Sequence, residues 1–152
     1  MPPPERFLSC SFTVDGVPVP QGSMRGYVVG NHAVLTSDNP SLGAWRQGVA
    51  ERARQAMIGQ QPYAGPVEVG IDFYLPRPRG HFGTGKNAAR LREAAPEHPT
   101  KKPDIDKLVR AILDGMTGIV FVDDAQVWSL TAVKHYIGEG KPPRAVVFAF
   151  GE

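Results

Sequence analysis

Pro103-Asp104-Ile105-Asp106-Lys107-Leu108-Val109-Arg110-Ala111-Ile112-Leu113-Asp114-Gly115-Met116 carries the architecture of this chain, together with the Ile119-Val120-Phe121-Val122-Asp123-Asp124-Ala125-Gln126-Val127 that follows. Ile105, Leu108, Val109, Ile112, Leu113 and Met116 recur at helical spacing and predict a helix over about 105–116 with one buried stripe. Asp106, Arg110 and Asp114 fall at i, i+4 and i+8, a polar line beside that stripe. Ile119 to Val122 and Val127 to Tyr136 read as the two arms of a strand pair, joined by Asp123-Asp124-Ala125-Gln126.

Upstream, Val67 to Leu75 alternates, with Val67, Val69, Ile71, Phe73 and Leu75 on one face, and is the clearest strand. Pro76 and Pro78 stop it and open a Gly/Pro-rich loop that runs to Pro103. A loop of that length inside a compact domain is usually functional or disordered. Arg6 to Val14 reads as a first strand, and Tyr27 to Leu35 as a hairpin turning at Gly30-Asn31. Ser37, Asp38 or Asn39 can cap a helix with Pro40 in its first turn. Leu42, Trp45, Val49, Ala53 and Ala56/Met57 form its apolar face, and Gly59 ends it. Arg144 to Phe150 is the closing strand. This order implies an α+β fold, with two main helices packed against a mixed, mostly antiparallel sheet in a single domain over 1–152.

Composition narrows the function. The 152 residues suffice for a real core. Cys10 stands alone, which excludes an internal disulfide or a cysteine-based zinc site and fits a reducing compartment. No apolar run nears the ~20 residues that span a bilayer, and the N-terminus lacks the apolar core of a signal peptide, so the cytosol is expected. The net charge is only +2, but it is unevenly spread. Arg77, Arg79, Lys86, Arg90, Arg92, Lys101 and Lys102 face only Glu93 and Glu97, a local +5. A charge-rich segment alone most often means a solvated loop. A phosphate-binding surface is the alternative.

The acids bear the chemistry. Hard divalent cations such as Mg²⁺ take oxygen ligands, often a few carboxylates plus water. On a regular helix Asp104 and Asp106 would diverge, because residues i and i+2 point roughly 200° apart. Pro103 excludes a helix from upstream, which puts Asp104 before the helix or at its N-cap. In an extended lead-in both carboxylates can face one way, and the helix dipole favours their ionised forms. Taken singly, Asp104 and Asp106 read better as cap and first-turn acid, and Asp123-Asp124 as a turn. Their combination says more, since one helix and one short strand separate them and the chain can fold back to bring the second pair to the helix start. Arg110 either neutralises a phosphate or forms an i,i+4 pair with Asp106 or Asp114, worth roughly 0.2–0.5 kcal/mol. Asp114 reads as structural, while Lys134 reaches DNA or is ordinary surface. His32, His81 and His98 show no metal-ligand spacing.

Lys102-Pro103-Asp104-Ile105-Asp106-Lys107-Leu108, the helix through Ala111 to Met116, and Val122-Asp123-Asp124-Ala125-Gln126-Val127 together resemble the RusA-type Holliday junction resolvases. These are small homodimeric endonucleases common in phages and prophages. The resemblance implies that Asp104, Asp106 and Asp124 are catalytic and coordinate Mg²⁺, with Mn²⁺ as a substitute, and that Asp123 is an accessory ligand. It gives Arg110 the position of a catalysis-assisting Lys, and places Lys107 where many members have Asn. It implies DNA contacts from Arg77, Arg79, Lys86, Arg90, Arg92, Lys101, Lys102, Lys107 and Lys134. The expected activity is paired nicking of four-way DNA junctions by a homodimer in a bacterial host's cytoplasm, the gene being phage- or prophage-borne. A junction or single-strand binder that does not cut is one rival, and the intact acidic trio argues against it. A small-molecule phosphoesterase is another, and the basic loop argues against that.

Overall fold

In the computed structural model residues 8–22, 24–37 and 41–152 are described. The elements in chain order are β1 (Leu8–Asp15), β2 (Met24–Val29), β3 (His32–Ser37), α1 (Leu42–Ala56), β4 (Val67–Leu75), α2 (Ile105–Met116), β5 (Val127–Tyr136) and β6 (Arg144–Gly151). β4 is the centre. Its five alternating apolar residues are all buried, so it needs a neighbour on each edge and a cover over one face. β6 lies antiparallel on one side and β5 parallel on the other, with β1 antiparallel outside β6, giving the order β1-β6-β4-β5. The α+β architecture expected from the sequence is the observed one. Among the described residues β2 and β3 pair only with each other, turning at Gly30-Asn31, where Gly30 takes φ +61°.

One expected pairing is absent. A parallel neighbour for β4 requires a crossover, and here the basic loop and α2 supply it. β5 therefore pairs with β4 and not with 119–122. Val120 and Phe121 are instead fully buried, and Phe121 makes only isolated parallel bridges, to Tyr63 and Thr117. A short apolar run cannot be told from core filling by periodicity, which is why Ile119–Val122 reads as a strand in the sequence. Asp123-Asp124-Ala125-Gln126 is accordingly not a hairpin turn but a capped 3₁₀ turn. α1 begins at Leu42 with Ser41 at its N-cap, beyond the Ser37 proposed for that role. Asp38, Asn39 and Pro40 lie outside the described residues.

α1 and α2 cover one face of the sheet. Leu108, Ala111, Ile112 and Met116 of α2 have no exposed surface and share one core with Val49 and Ala53 of α1, equally buried. Each fully buried Leu or Ile contributes about 1.5–3 kcal/mol. The helices approach so closely at Gly115 that a Cβ there would stand 2.7 Å from Val49 Cγ1 and 3.2 Å from the Arg46 carbonyl oxygen. Among the described residues, no helix is long and apolar enough to cross a membrane.

Candidate active site

The packing of α2 fixes where its first turn emerges. Asp104 is the N-cap residue, in extended backbone (φ −67°, ψ 138°), and its carbonyl oxygen accepts from the Leu108 N–H at 3.2 Å. Its carboxylate does not cap the helix. That carboxylate is about half exposed and lies 3.8 Å from the Lys107 ammonium, an exposed pair of small energetic weight. Asp106 is exposed in the first turn and, among the described residues, has no hydrogen-bond or ion-pair partner. The lead-in is held from β5. Lys134, opposite Phe73 on the face turned toward the helices, donates to the carbonyl oxygens of Lys101 (3.0 Å) and Pro103 (2.9 Å). Between those carbonyls the Lys102–Pro103 peptide is cis. His135 faces the opposite way and meets Asp72 at 2.7 Å.

The second acidic pair is held differently. Gln126 accepts from the Val122 and Asp123 N–H groups, each at 2.9 Å, and donates to the Tyr63 and Gly65 carbonyl oxygens at 2.8 and 2.9 Å. All four hydrogen-bonding directions of its amide are used. Asp123 Oδ1 accepts from the Ala125 N–H at 2.9 Å, completing a capping box with Gln126. The pair is thus unequal, with Asp123 bound into the turn while Asp124 is exposed beside it. The Asp124 carboxyl is pushed above its ordinary value. A hydrogen bond shared with Asp123 is the main cause, followed by partial desolvation and the charges of Asp123 and Asp114, against the lowering effect of the Ala125 N–H.

The two pairs do not meet within the chain. Asp114 acts electrically on Asp124, whereas neither Asp104 nor Asp106 is among the charges that do. α2 has 12 residues, an axial length of about 18 Å. Asp104 and Asp106 stand at one end of it and Asp114 near the other. Among the described residues, no three His, Cys, Asp or Glu side chains are gathered closely enough to hold a metal ion. The oxygen donors suit a hard cation in kind, but their placement in one chain does not assemble a cation cage. Asp114 instead pairs with Arg46 at 3.8 Å. Arg110 is exposed and, among the described residues, pairs with neither Asp106 nor Asp114.

A family model described as Endodeoxyribonuclease RusA matches residues 15–148. The chain belongs to the RusA family. Over 128 residues it is 33% identical to the uncharacterized protein YqaN of Bacillus subtilis (strain 168), covering 84% of this chain and 88% of that protein. The RusA match runs from the end of β1 into β6 and so contains both acidic pairs, α2 and the basic loop. RusA membership makes the chain an endodeoxyribonuclease of the Holliday junction resolvase class, which acts on branched DNA with a divalent metal.

In this RusA chain the basic loop is braced against itself. Phe82 bridges Leu91, the Gly83 N–H donates to the Arg90 carbonyl at 3.0 Å, and the Arg92 N–H to the His81 carbonyl at 2.8 Å. Two of the expected DNA contacts are hydrogen-bonded within the loop. Arg77 donates to the Pro96 carbonyl at 2.6 Å, and Arg92 Nε to the Phe82 carbonyl at 2.6 Å. Arg79, Lys86, Arg90, Lys101 and Lys102 are exposed, and among the described residues their side chains make no hydrogen bond or ion pair. Beside Asp104 opens a cavity of about 890 Å³, walled by Val17 to Pro20 on one side and by Lys102, Pro103 and Lys107 on the other. Nothing in the sequence pattern places Val17 to Pro20 at the site. The sequence marks Gln126 as part of the Asp-Asp-x-Gln-Val motif but not as the clamp on the Tyr63 and Gly65 carbonyls.

Proposed function

We propose that this protein is a Mg²⁺-dependent, structure-selective endodeoxyribonuclease, with Mn²⁺ as a substitute, that resolves Holliday junctions by paired nicking in the bacterial cytoplasm, encoded by a phage or prophage. The observation that carries the reading is Asp104. It occupies the N-cap of α2 yet leaves its carboxylate out of the cap, with Asp106 in the first turn unpartnered among the described residues. A side-chain cap is the ordinary reason for an Asp at this position, and the Asp104 carboxylate does not serve as one.

In this reading Asp104 and Asp106 are the primary acidic ligands, and because the two pairs stand apart within one chain, Asp124 as the third ligand and Asp123 as the accessory join them from the partner protomer of the homodimer. A divalent cation, when bound, polarises the scissile phosphate and lowers the pKa of water. In the reaction a water oxygen attacks phosphorus and the bond to the 3′ oxygen breaks. Lys107 and Arg110, on the same turns of α2 as the acids, offset charge on the phosphorane oxygens. Arg110 acts by charge alone, because an arginine is no proton donor. Arg79, Lys86, Arg90, Lys101 and Lys102 contact DNA backbones, so junction binding is strongly salt-dependent. A homodimer provides two such sites for two opposed strands.

The test is incubation of the protein with end-labelled four-way junction and linear duplex, with Mg²⁺ or with EDTA. Paired symmetric nicks confined to the junction with Mg²⁺ are expected. Junction binding without nicking would mean a binding module of the same fold.

A further inference from the structure

Resting on that nuclease reading, we propose that a second pocket behind the α2 lead-in receives one unstacked nucleobase of the strand being cut. The cavity has a volume of about 520 Å³, within the ~300–1,000 Å³ range of small-ligand sites. It shares Lys102 and Pro103 with the cavity that contains Asp104. The two cavities are therefore neighbours, which puts this pocket beside a nucleotide whose phosphate lies at Asp104.

The lining suits an amphipathic ligand of this kind. Pro76, Pro78, Pro96 and Pro99 present rigid apolar rings, and Tyr136 adds an aromatic one. Lys101 and Lys102 also belong to the lining, and their exposed ammonium groups suit the phosphate of a nucleotide whose base is inside. Stacking on apolar and aromatic side chains is how displaced bases are generally held. A backbone-tracking loop needs no such chamber.

Arg77 explains how the chamber keeps its shape. Its guanidinium lies 4.4 Å over the Tyr136 ring, donates to the Pro96 carbonyl at 2.6 Å and contacts His81 Nδ1 at 3.3 Å. One side chain thus ties the end of β5 to both strands of the loop. Arginine only donates, so His81 Nδ1 accepts and Nε2 carries the ring's proton. His81 lines the pocket and can offer that proton to a keto oxygen or ring nitrogen of a base. Such a contact would bias which sequence is cut.

The experiment places 2-aminopurine singly at successive positions around the crossover and reads its emission on binding the full-length protein without metal. A several-fold rise at one position next to the cut is expected. Gly80→Phe is the matching variant. Gly80 lines the pocket, and a Cβ there would meet no atom within 4 Å, so the ring can fill the chamber from its rim. It should abolish the rise while junction binding, followed by gel shift, persists. A flat scan with the wild-type protein bound overturns the pocket whatever the variant does, and so does a rise that survives in a folded Gly80→Phe. Nicking of the unmodified junction is measured in parallel. Binding and a 2-aminopurine rise without nicking would sink the nuclease reading alone, and absence of binding would sink both.

Discussion

The Lys134 ammonium donates to the Pro103 carbonyl oxygen at 2.9 Å, and the same nitrogen reaches the Lys101 carbonyl at 3.0 Å. This β5 cation is thereby engaged with the backbone that leads into the acidic site. Hydrogen bonds from a charged donor contribute about 1.5–3 kcal/mol, here spent on the position of Asp104. Lys134→Met should lower the nicking rate at least tenfold with little change in junction affinity. If Lys134 were a phosphate contact, affinity would fall and the slope of log K against log salt would shrink by about 1. Salt titration of junction binding separates the two.

Gln126 uses all four of its amide's hydrogen-bonding directions to tie the Asp123-Asp124 turn to the Tyr63–Gly65 segment. Gln126→Leu keeps the approximate volume and removes every bond. Net values of about 0.5–1.5 kcal/mol per hydrogen bond, shared partly with water here, lead us to expect a loss of about 2–4 kcal/mol in urea unfolding. Nicking should fall further than folding alone explains. An unfolding midpoint equal to wild type would show that the clamp is not needed.

The two helices and the central strand were legible because each has a strong period. α2 over 105–116 and β4 over 67–75 have the bounds read from the sequence. The partner of β5 was not legible, because a parallel pairing across some fifty residues leaves no local pattern. Val120 and Phe121 are apolar for the core and not for a ladder. At the site, the residue types announced themselves while their commitments did not. Nothing in the sequence tells that Arg77 and Arg92 bond loop carbonyl oxygens while Arg79 does not. Those choices depend on which carbonyls the folded loop leaves bare.

Asp124 titrates above its ordinary value chiefly through its hydrogen bond with Asp123. In the unfolded chain an aspartate titrates near 3.9. Between that pH and the raised native value the folded protein holds the extra proton, so this group's contribution to stability falls as pH rises through the window and is flat on either side. Asp123→Asn keeps an acceptor for the Ala125 N–H, removes a negative charge and offers Asp124 an amide donor. The Asp124 midpoint, followed by carbon-detected NMR on metal-free protein, should move down. An unchanged midpoint would remove Asp123 as the cause.

Asp104→Asn preserves the shape of the N-cap and removes one charge from an exposed site. Since the Asp104 carboxylate makes no cap hydrogen bond, folding stability should stay within ~0.5 kcal/mol of wild type. Nicking should be abolished and junction binding retained. Undiminished nicking would take Asp104 out of the site.

Arg110 separates charge from proton transfer. It is exposed on α2, one turn beyond Asp106, and has no partner among the described residues. Substitution there should therefore leave unfolding within ~0.5 kcal/mol of wild type. If its charge is what the reaction uses, Arg110→Lys should keep nicking within a few-fold and Arg110→Ala should lose at least tenfold. The loss should lie in the rate at saturating junction, because one exposed cation among several contributes little to binding. The same two variants also test proton donation. Lysine can release a proton and arginine cannot, so a rate that rises well above wild type in Arg110→Lys, with a new limb in its pH profile, would show that the position can serve as a general acid. A rate unaffected by Arg110→Ala would make the residue ordinary surface.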